Sequence, residues 1–427
     1  MMERKSQDRN KTFKKIAYMV ADFPGISETF IIREIQTLLD KGFDITILAI
    51  VRPEDYEREE SLCRKSTIEL CHYARPENTL RHLYTNAKLC ILHPFKYFRT
   101  AKIFMGEVIK HEPKMWLRII YHFYCGIGFT ELIKKKGIQH IHAHFSTGTN
   151  MALAAASFLN LPFSFTAHAS GDIFVKPILL EEKISRSEFV ITVCDYGKKY
   201  LDCVTGGRFS NKFHRIYNGI EKSEFMDPGE MERISNEAKE ITKIISVGRL
   251  VDCKGFKTLI DACKRLVDRK YAVSCEIIGD GPEREILLRQ ISNLGLNKCI
   301  NITGYLPLSA IYDHLRRADI FVLLSEIGIS GYRDGFPTVI LEAMHIGLPI
   351  VSTWVSGIPE MVINKETGLL VHERDSQGAA VAIEALIMNK TRRKTFGHRG
   401  KERAISIFCL EKNIEMLACF LKERVKE

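Results

Sequence analysis

The stretch "SGYRDGFPTVILEAMHIG", residues 330–347, sets Asp334 before a Gly-Phe-Pro turn and Glu342 eight positions later. Acid pairs at that spacing arise by chance everywhere, and the pair gains meaning only from what lies between. Pro337 suits the first position of a helix that Gly347 would end. Amides at such a helix start form an anion site. One acid then faces that site from the loop, and the other from two turns into the helix.

Other short stretches carry groups of the same kind. "SVGRLVDCKGF" ends an apolar run with Gly248 and Arg249 and then supplies Lys254. Two cations five apart on a glycine-bearing loop can meet a diphosphate, the guanidinium as a fork and the ammonium as a point charge. Alone, G-R-x(4)-K is more often surface charge. In "IIGDGPERE", Gly279 and Gly281 would let backbone approach a ligand or simply form a turn, and in "TGYLP" Tyr305 and Leu306 offer a flat wall for a base. In the first half, "FSFTAHASGDIF" carries His168 at the end of an apolar run, followed by Asp172. A histidine there can bond a hydroxyl or a phosphate, although such residues, like the histidines of "IQHIHAHFS", are more often structural. "FPGISETFIIREI" places a Pro-Gly turn at Gly25, an N-cap candidate at Ser27, and Glu28 at the mouth of the same region.

The elements that must position these groups follow from the apolar runs. "KIAYMVADF", "DITILAI", "IQHIHAHF", "PFSFTAH" and "FVITVC" read as strands with helical segments between them. A second series, "KIISVGRL", "SCEIIGDGP", "INITGY", "IFVLLS" and "PIVST", repeats the alternation. That pattern predicts an α/β protein with parallel sheets covered by helices on both faces. The candidate residues then fall at the carboxyl ends of strands, where open parallel sheets bind ligands. A polar stretch without strand signal, residues 222–240, reads as a linker. It divides the chain into units 1–221 and 241–404, with a closing helical segment, 405–427, whose apolar residues Ile414, Leu417, Phe420 and Leu421 have helical spacing.

Bulk properties narrow the class. The 427 residues exceed one comfortable core, and 45% hydrophobic with 27% charged residues argues against disorder. Twelve scattered cysteines without a C-x-x-C pair suit a reduced, cytoplasmic protein. The basic N-terminus precedes too short an apolar run for a signal peptide, and no run is long enough to span a membrane. The net charge of +10 is concentrated in residues 81–140, where 11 basic residues meet 3 acidic ones among Tyr84, Phe95, Tyr97, Phe98, Phe104 and Trp116. Such a surface suits an anionic bilayer or a polyanionic substrate. A solvated helical face with its aromatics in the core would leave the same signature. No helix-turn-helix, RNP or finger pattern supports nucleic acid.

In chain order, "FPGISETFIIREI", "HIHAHF", "PFSFTAHASGDIF", "YNGI", "VGRLVDCKGF", "IIGDGPE", "DGFPTVILEAM" and "SGIPEMV" resemble the retaining GT-B-fold glycosyltransferases, the group 1 type that builds bacterial exopolysaccharides and lipopolysaccharides. The "SETFI" and "RDGFP" variants are most similar to the colanic-acid-type subgroup. The resemblance covers nearly the whole chain and implies two Rossmann-like domains facing across a cleft. Residues 1–221 would be the acceptor side, 241–404 the nucleotide-sugar domain, and 405–427 a helix packing back toward the first domain. It implies a metal-independent hexosyltransferase without a cofactor, taking a UDP-sugar, or GDP-mannose as the alternative. The acceptor would be a lipid-diphosphate-linked oligosaccharide at the inner face of the plasma membrane.

Carried over by motif, Arg249 and Lys254 neutralise the diphosphate, Glu342 holds the ribose hydroxyls and Asp334 contacts the donor sugar. Backbone of Gly248, Gly335, Phe336, Pro337 and Thr338 completes the donor pocket, His168 is the active-site histidine, and Gly25, Ser27, Glu28 and Asp172 line the acceptor side. Two departures stand out. The family's first acid is commonly Glu, here Asp334, with Glu326 sixteen rather than eight residues before Glu342; and the N-terminal loop lacks a Gly-Gly pair. No D-x-D pair is present. Two rivals use the same fold: an epimerase or hydrolase acting on the nucleotide-sugar alone, and a non-catalytic partner subunit. A dinucleotide-dependent dehydrogenase is the least supported reading, because no G-x-G-x-x-G follows the first strand.

Overall fold

The computed structural model describes residues 15–25, 28–53, 63–168, 172–221 and 241–424. The N-cap expected at Ser27 and the linker expected at 222–240 lie outside them. Seven strands form the first sheet: β1 (Lys15–Asp22), β2 (Asp44–Val51), β3 (Cys71–Tyr73), β4 (His140–His144), β5 (Phe163–Ala167), β6 (Val190–Thr192) and β7 (Phe213–Arg215). Six form the second: β8 (Thr242–Val247), β9 (Val273–Ile278), β10 (Ile300–Gly304), β11 (Ile320–Val322), β12 (Ile350–Thr353) and β13 (Gly368–Val371). The orders are β3-β2-β1-β4-β5-β6-β7 and β10-β9-β8-β11-β12-β13. Every pairing within both sheets is parallel. Both sheets therefore reverse direction beside their first strand, β1 against β4 and β8 against β11. The crevice at such a reversal is where doubly wound sheets bind ligands.

All ten apolar runs contain a strand, as the parallel α/β reading requires. The three further strands, β3, β7 and β13, span only three or four residues at or next to sheet edges. The buried runs are near-continuously apolar because helices cover both faces. β4 is the exception: "HIHAH" is buried throughout, and alternation puts His140, His142 and His144 on one face. Ser164 and Thr166 of β5 satisfy much of that face, Ser164 Oγ lying 2.7 Å from His140 Nε2 and 2.8 Å from His142 Nδ1.

The chain passes twice between the domains, and the two passages lie side by side. Ile220 N–H donates to Phe408 O at 3.1 Å, and Leu410 N–H donates back to Ile220 O at 3.3 Å. Beyond this crossing the helix Leu410–Arg424 buries Leu410, Ile414, Leu417, Ala418 and Leu421 against Ile31, Ile35, Phe189 and Ile216 of the first domain.

Across the domains, the loops at the carboxyl ends of the strands meet. The Glu360 carboxylate, from the second domain, accepts the N–H groups of Asp195 (2.7 Å) and Tyr196 (2.8 Å) at the start of the helix Asp195–Val204, and the Tyr217 hydroxyl at 3.1 Å. A carboxylate at a helix N-terminus satisfies orphan donors and the helix dipole together. Beside it the Tyr217 and Phe336 rings stack at 5.3 Å, and Cys194 Sγ–H donates to Gly335 O.

The basic, aromatic region forms three helices, Thr79–Leu92, Pro94–Val108 and Pro113–Gly128. Its aromatics divide. Phe104 is buried and Tyr97 packs on the core, whereas Phe95 is 91% exposed, and Tyr84, Phe98 and Trp116 are also exposed, with Leu80, Ile91, Ile109 and Leu117. Among the described residues no helix is long and apolar enough to cross a membrane.

Replacing Glu360 by alanine strips two helix N–H groups and a tyrosine hydroxyl of their acceptor, at a cost of about 1–3 kcal/mol. The variant should melt several degrees lower and scatter X-rays as a more extended particle. Unchanged melting and scattering would show that this carboxylate does not hold the domains together.

Candidate active site

In the second domain the carboxyl ends of β8 and β11 bring together two residues 80 positions apart. After β8 come Gly248 and Arg249, then the 3-10 turn Asp252–Lys254, then Gly255 in the left-handed region at φ 67°. A Cβ at Gly255 would lie 1.8 Å from Leu324 O, so only glycine lets this turn press against the chain leaving β11. That contact sets Lys254 Nζ 2.9 Å from Asp334 Oδ2, which also accepts the Ser325 hydroxyl at 2.9 Å. Both charged side chains remain partly open, 15% and 18% exposed. Arg249 is exposed and forms no ion pair among the described residues. Glu326, the other acid considered for this place, is engaged elsewhere, with Thr258 at 3.4 Å and Arg374 at 3.4 Å.

The helix after Asp334 runs Thr338–Ile346 and ends at Gly347 with φ 81°, as the sequence suggests. Pro337 occupies the N-cap, one residue before the position expected for it. The amides of Gly335, Phe336 and Thr338 have no hydrogen-bond partner among the described residues, as an anion site at a helix start requires. The Phe336 side chain turns away into the stack with Tyr217 and Phe408. Glu342 is buried, 5% exposed, on the second turn of the helix. Tyr305 and Leu306 are partly buried beside the end of β10, Leu306 packing on the domain core. Gly279 and Gly281 bring the loop after β9 against the loop after β8. A Cβ at Gly279 would stand 1.9 Å from Gly248 O, and one at Gly281 2.5 Å from Leu250 O. Their close approach is to protein backbone, and it braces the Arg249 loop.

In the first domain His168 follows β5 directly and is buried between the Phe30 and Phe145 rings, with centroids 4.8 and 4.5 Å away. Its Nε2 lies 2.9 Å from His144 Nδ1, and its Nδ1 is buried without a hydrogen-bond partner. Burial, followed by the neighbouring His144, holds the imidazole well below its usual range, so it is neutral. Asp172 is also buried. It accepts the N–H of His168 at 2.9 Å and that of Ser146, tying the end of β5 to the start of the helix Phe145–Leu159. Glu28 stands at the N-cap of the helix Thr29–Asp40, against Gly25. Burial, then Asp22 and Asp172, pushes its carboxyl up to about 8. The two domains' groups approach through the loop beside Asp334: the Arg333 guanidinium lies 5.0 Å over the Phe174 ring and donates to the Tyr196 hydroxyl at 3.3 Å.

Among the described residues one set of ligand-type side chains, Glu34, His142 and His144, lies within 4.8 Å of one another. Hydrogen bonds already occupy both nitrogens of each ring: His142 on Ser164 and Thr166, His144 on His168 and Glu34. The sequence reading missed Ser325, Glu34 and the part played by Glu360. Ser325 closes the "IFVLLS" run and Glu360 lies inside "SGIPEMV", but Glu34 carries no local signal.

Because folded Glu28 keeps its proton to about pH 8 and an unfolded glutamate loses it near 4.5, this residue's contribution to stability falls as pH rises between those values. The buried neutral His142 and His168 act oppositely, favouring the fold as pH rises through their unfolded range near 6.5. Comparing melting of wild type and Glu28→Gln from pH 5 to 8 isolates the first effect. The gap should widen by a few degrees in the variant's favour; parallel curves would mean that Glu28 is ionised throughout.

Residues 229–403 match the model of the family described as glycosyl transferases group 1. The chain is 25% identical over 393 residues to the amylovoran biosynthesis glycosyltransferase AmsK of Erwinia amylovora, covering 86% of this chain and 89% of that protein. It is 25% identical over 382 residues to the putative colanic acid biosynthesis glycosyltransferase WcaL of Escherichia coli, covering 87% and 90%. Among solved structures, Anabaena Alr3699/HepE in complex with UDP and glucose superposes with a TM-score of 0.69 at 18% identity, covering 96% of this chain and all of that one. A sucrose-phosphate synthase from Thermosynechococcus elongatus gives the same TM-score at 18% identity, covering 96% and 98%. The family match over the second domain and the two facing parallel sheets lead to one conclusion: residues 229–403 form a group 1 glycosyltransferase domain, in a chain of GT-B fold.

Proposed function

We propose that the protein moves a hexose from a nucleotide-diphosphate sugar to a hydroxyl of a growing, lipid-linked oligosaccharide in exopolysaccharide synthesis, with retention of anomeric configuration. The observation that carries this reading is the Lys254–Asp334 pair at the β8–β11 reversal, flanked by exposed Arg249 and by unpartnered amides at a helix start. A donor diphosphate entering there would draw Lys254 from Asp334 and take Arg249 as its second cation. Asp334, released, would accept a sugar hydroxyl, and Glu342 would hold the ribose. As the bond to the leaving phosphate breaks, negative charge grows on that phosphate, and fixed cations and N–H groups stabilise it without reorganisation. The acceptor hydroxyl attacks from the leaving-group face and its proton passes to the departing phosphate, so that this mechanism calls on no metal. UDP in complexes of the structural neighbour Alr3699/HepE favours a UDP-sugar, with GDP-mannose the alternative. The relatives named for amylovoran and colanic acid point to exopolysaccharide.

A membrane-bound acceptor accounts for the exposed apolar side chains on the helices of residues 79–128. Cations gather alongside: burial and then the charges of Lys134 and Arg99 lower the Lys96 ammonium. Apolar residues entering the headgroup region beside lysines that face anionic lipid is the expected arrangement of a peripheral enzyme on the inner leaflet.

Two outcomes are expected. Lys254→Ala or Glu342→Ala should lower turnover at least a hundredfold while circular dichroism stays unchanged; full activity in either variant sinks the assignment, and a thermal-shift panel of UDP- and GDP-sugars identifies the donor for the assay. The triple reversal of Lys134, Lys135 and Lys136 to glutamate should release the protein from vesicles containing anionic lipid, read by flotation. Equal flotation of wild type and variant would remove the membrane reading.

A further inference from the structure

We infer that Glu34 and His144 are positioning residues that fix the tautomer of His168 and so present its Nδ1 as a hydrogen-bond acceptor to the transferred sugar. The inference rests on the donor-site reading above, but its first test does not.

Four side chains from four elements form one line. The Tyr18 hydroxyl of β1 donates to Glu34 Oε1 at 2.8 Å, His144 Nε2 lies 3.0 Å from the same oxygen, and His144 Nδ1 lies 2.9 Å from His168 Nε2. Glu34 Oε1 takes the hydrogen of the Tyr18 hydroxyl and, as an oxygen without one of its own, accepts a second from His144, so His144 carries a hydrogen on Nε2. With its one ring hydrogen there, His144 has a lone pair on Nδ1, and His168 supplies the hydrogen from Nε2. Neutral His168 is left with a lone pair on Nδ1, the one nitrogen of the line that is buried without a partner. Leaving such an atom unpaired costs about 1–3 kcal/mol, which a substrate hydroxyl would relieve. Had the line run in reverse, Nδ1 would carry a hydrogen and repel the same hydroxyl hydrogen. Tyr18 and His144 are fully buried, so water does not scramble the order. Packing alone does not require this arrangement, because the neighbouring His142 is satisfied by the hydroxyls of Ser164 and Thr166.

The test uses full-length protein labelled with ¹⁵N-histidine, in which two-bond and three-bond couplings report each ring's tautomer, with His144→Phe and His168→Phe giving the assignments. Wild type should show His144 and His168 both protonated on Nε2. Glu34→Leu, which removes the acceptor, should give mixed tautomers at His168 and lower kcat at least tenfold, with KM for the donor picked by thermal shift changing less than threefold. Glu34→Gln keeps an acceptor oxygen and should restore the tautomer and most of kcat. If Glu34→Leu does not fold, His144→Phe carries the same expectation for kcat. An unchanged His168 tautomer in folded Glu34→Leu overturns the inference, as does a changed tautomer with unchanged kcat. Stoichiometric metal in the purified protein, lost in Glu34→Gln, also overturns it, since the ring nitrogens would then be ligands. A wild type that turns over no nucleotide-sugar defeats the donor-site reading, while the tautomers of wild type and Glu34→Leu still decide this one.

Discussion

The Glu360 carboxylate seated on the first two N–H groups of the helix Asp195–Val204 joins the facing ends of the two sheets, beside an apolar cluster in which Val193, Tyr217 and Ile220 meet Phe336, Ile358 and Phe408. A site divided between the two sheets exists only when the carboxyl ends of both point into one space. A charged acceptor on a helix start serves this well because it is strong, directional and wettable. The Tyr217 hydroxyl on the same carboxylate and the Tyr217–Phe336 stack then tie the interface directly to the Asp334–Gly335–Phe336 turn. The domain contact and the site thus share a segment, and movement of one displaces the other.

Across this interface the charge is divided unevenly. The second domain keeps its cations partly open, with Lys254 held by Asp334 rather than by burial, so an incoming polyanion can reach them. The first domain buries three of its groups in ways that favour their neutral forms: His168 and His142 lie well below the usual imidazole range, and Glu28 is pushed up to about 8. In a GT-B fold whose second domain matches the group 1 glycosyltransferases, this division has a use. Neutral groups can accept and donate hydrogen bonds to hydroxyls without repelling an anion bound nearby.

What the sequence could reveal follows from how local each signal is. Parallel buried strands are legible because they are apolar along their whole length, and all ten such runs contain strands. β3, β7 and β13 escape notice because three or four residues, such as "CHY" or "FHR", carry no pattern of their own and are strands only by pairing with a neighbour. The same holds for side chains. Lys254 and Asp334 are legible through glycine turns that leave a local trace, and the helix end at Gly347 is read to the residue. Gly279 and Gly281 are legible as close approaches, but to Gly248 and Leu250 backbone, which no local pattern specifies. Glu34 stands in an ordinary amphipathic helix and becomes a partner of His144 only when residues 110 positions apart meet.

That long-range meeting also explains why "HIHAH" is buried as a strand at all. Three histidines on one strand face would be costly in an apolar layer, at several kcal/mol for each unsatisfied polar ring. Hydroxyls at alternate positions of the adjacent strand, Ser164 and Thr166, supply partners for His140 and His142, and a carboxylate from the covering helix supplies one for His144. The polar ladder runs from His140, bonded through Nε2 to Ser164, to His168, whose Nδ1 has no partner among the described residues, where the strand ends face the cleft. The sheet's parallel register, pairing His142 with Ser164 and His144 with Thr166, is therefore what carries order from a buried strand out to the edge of the site.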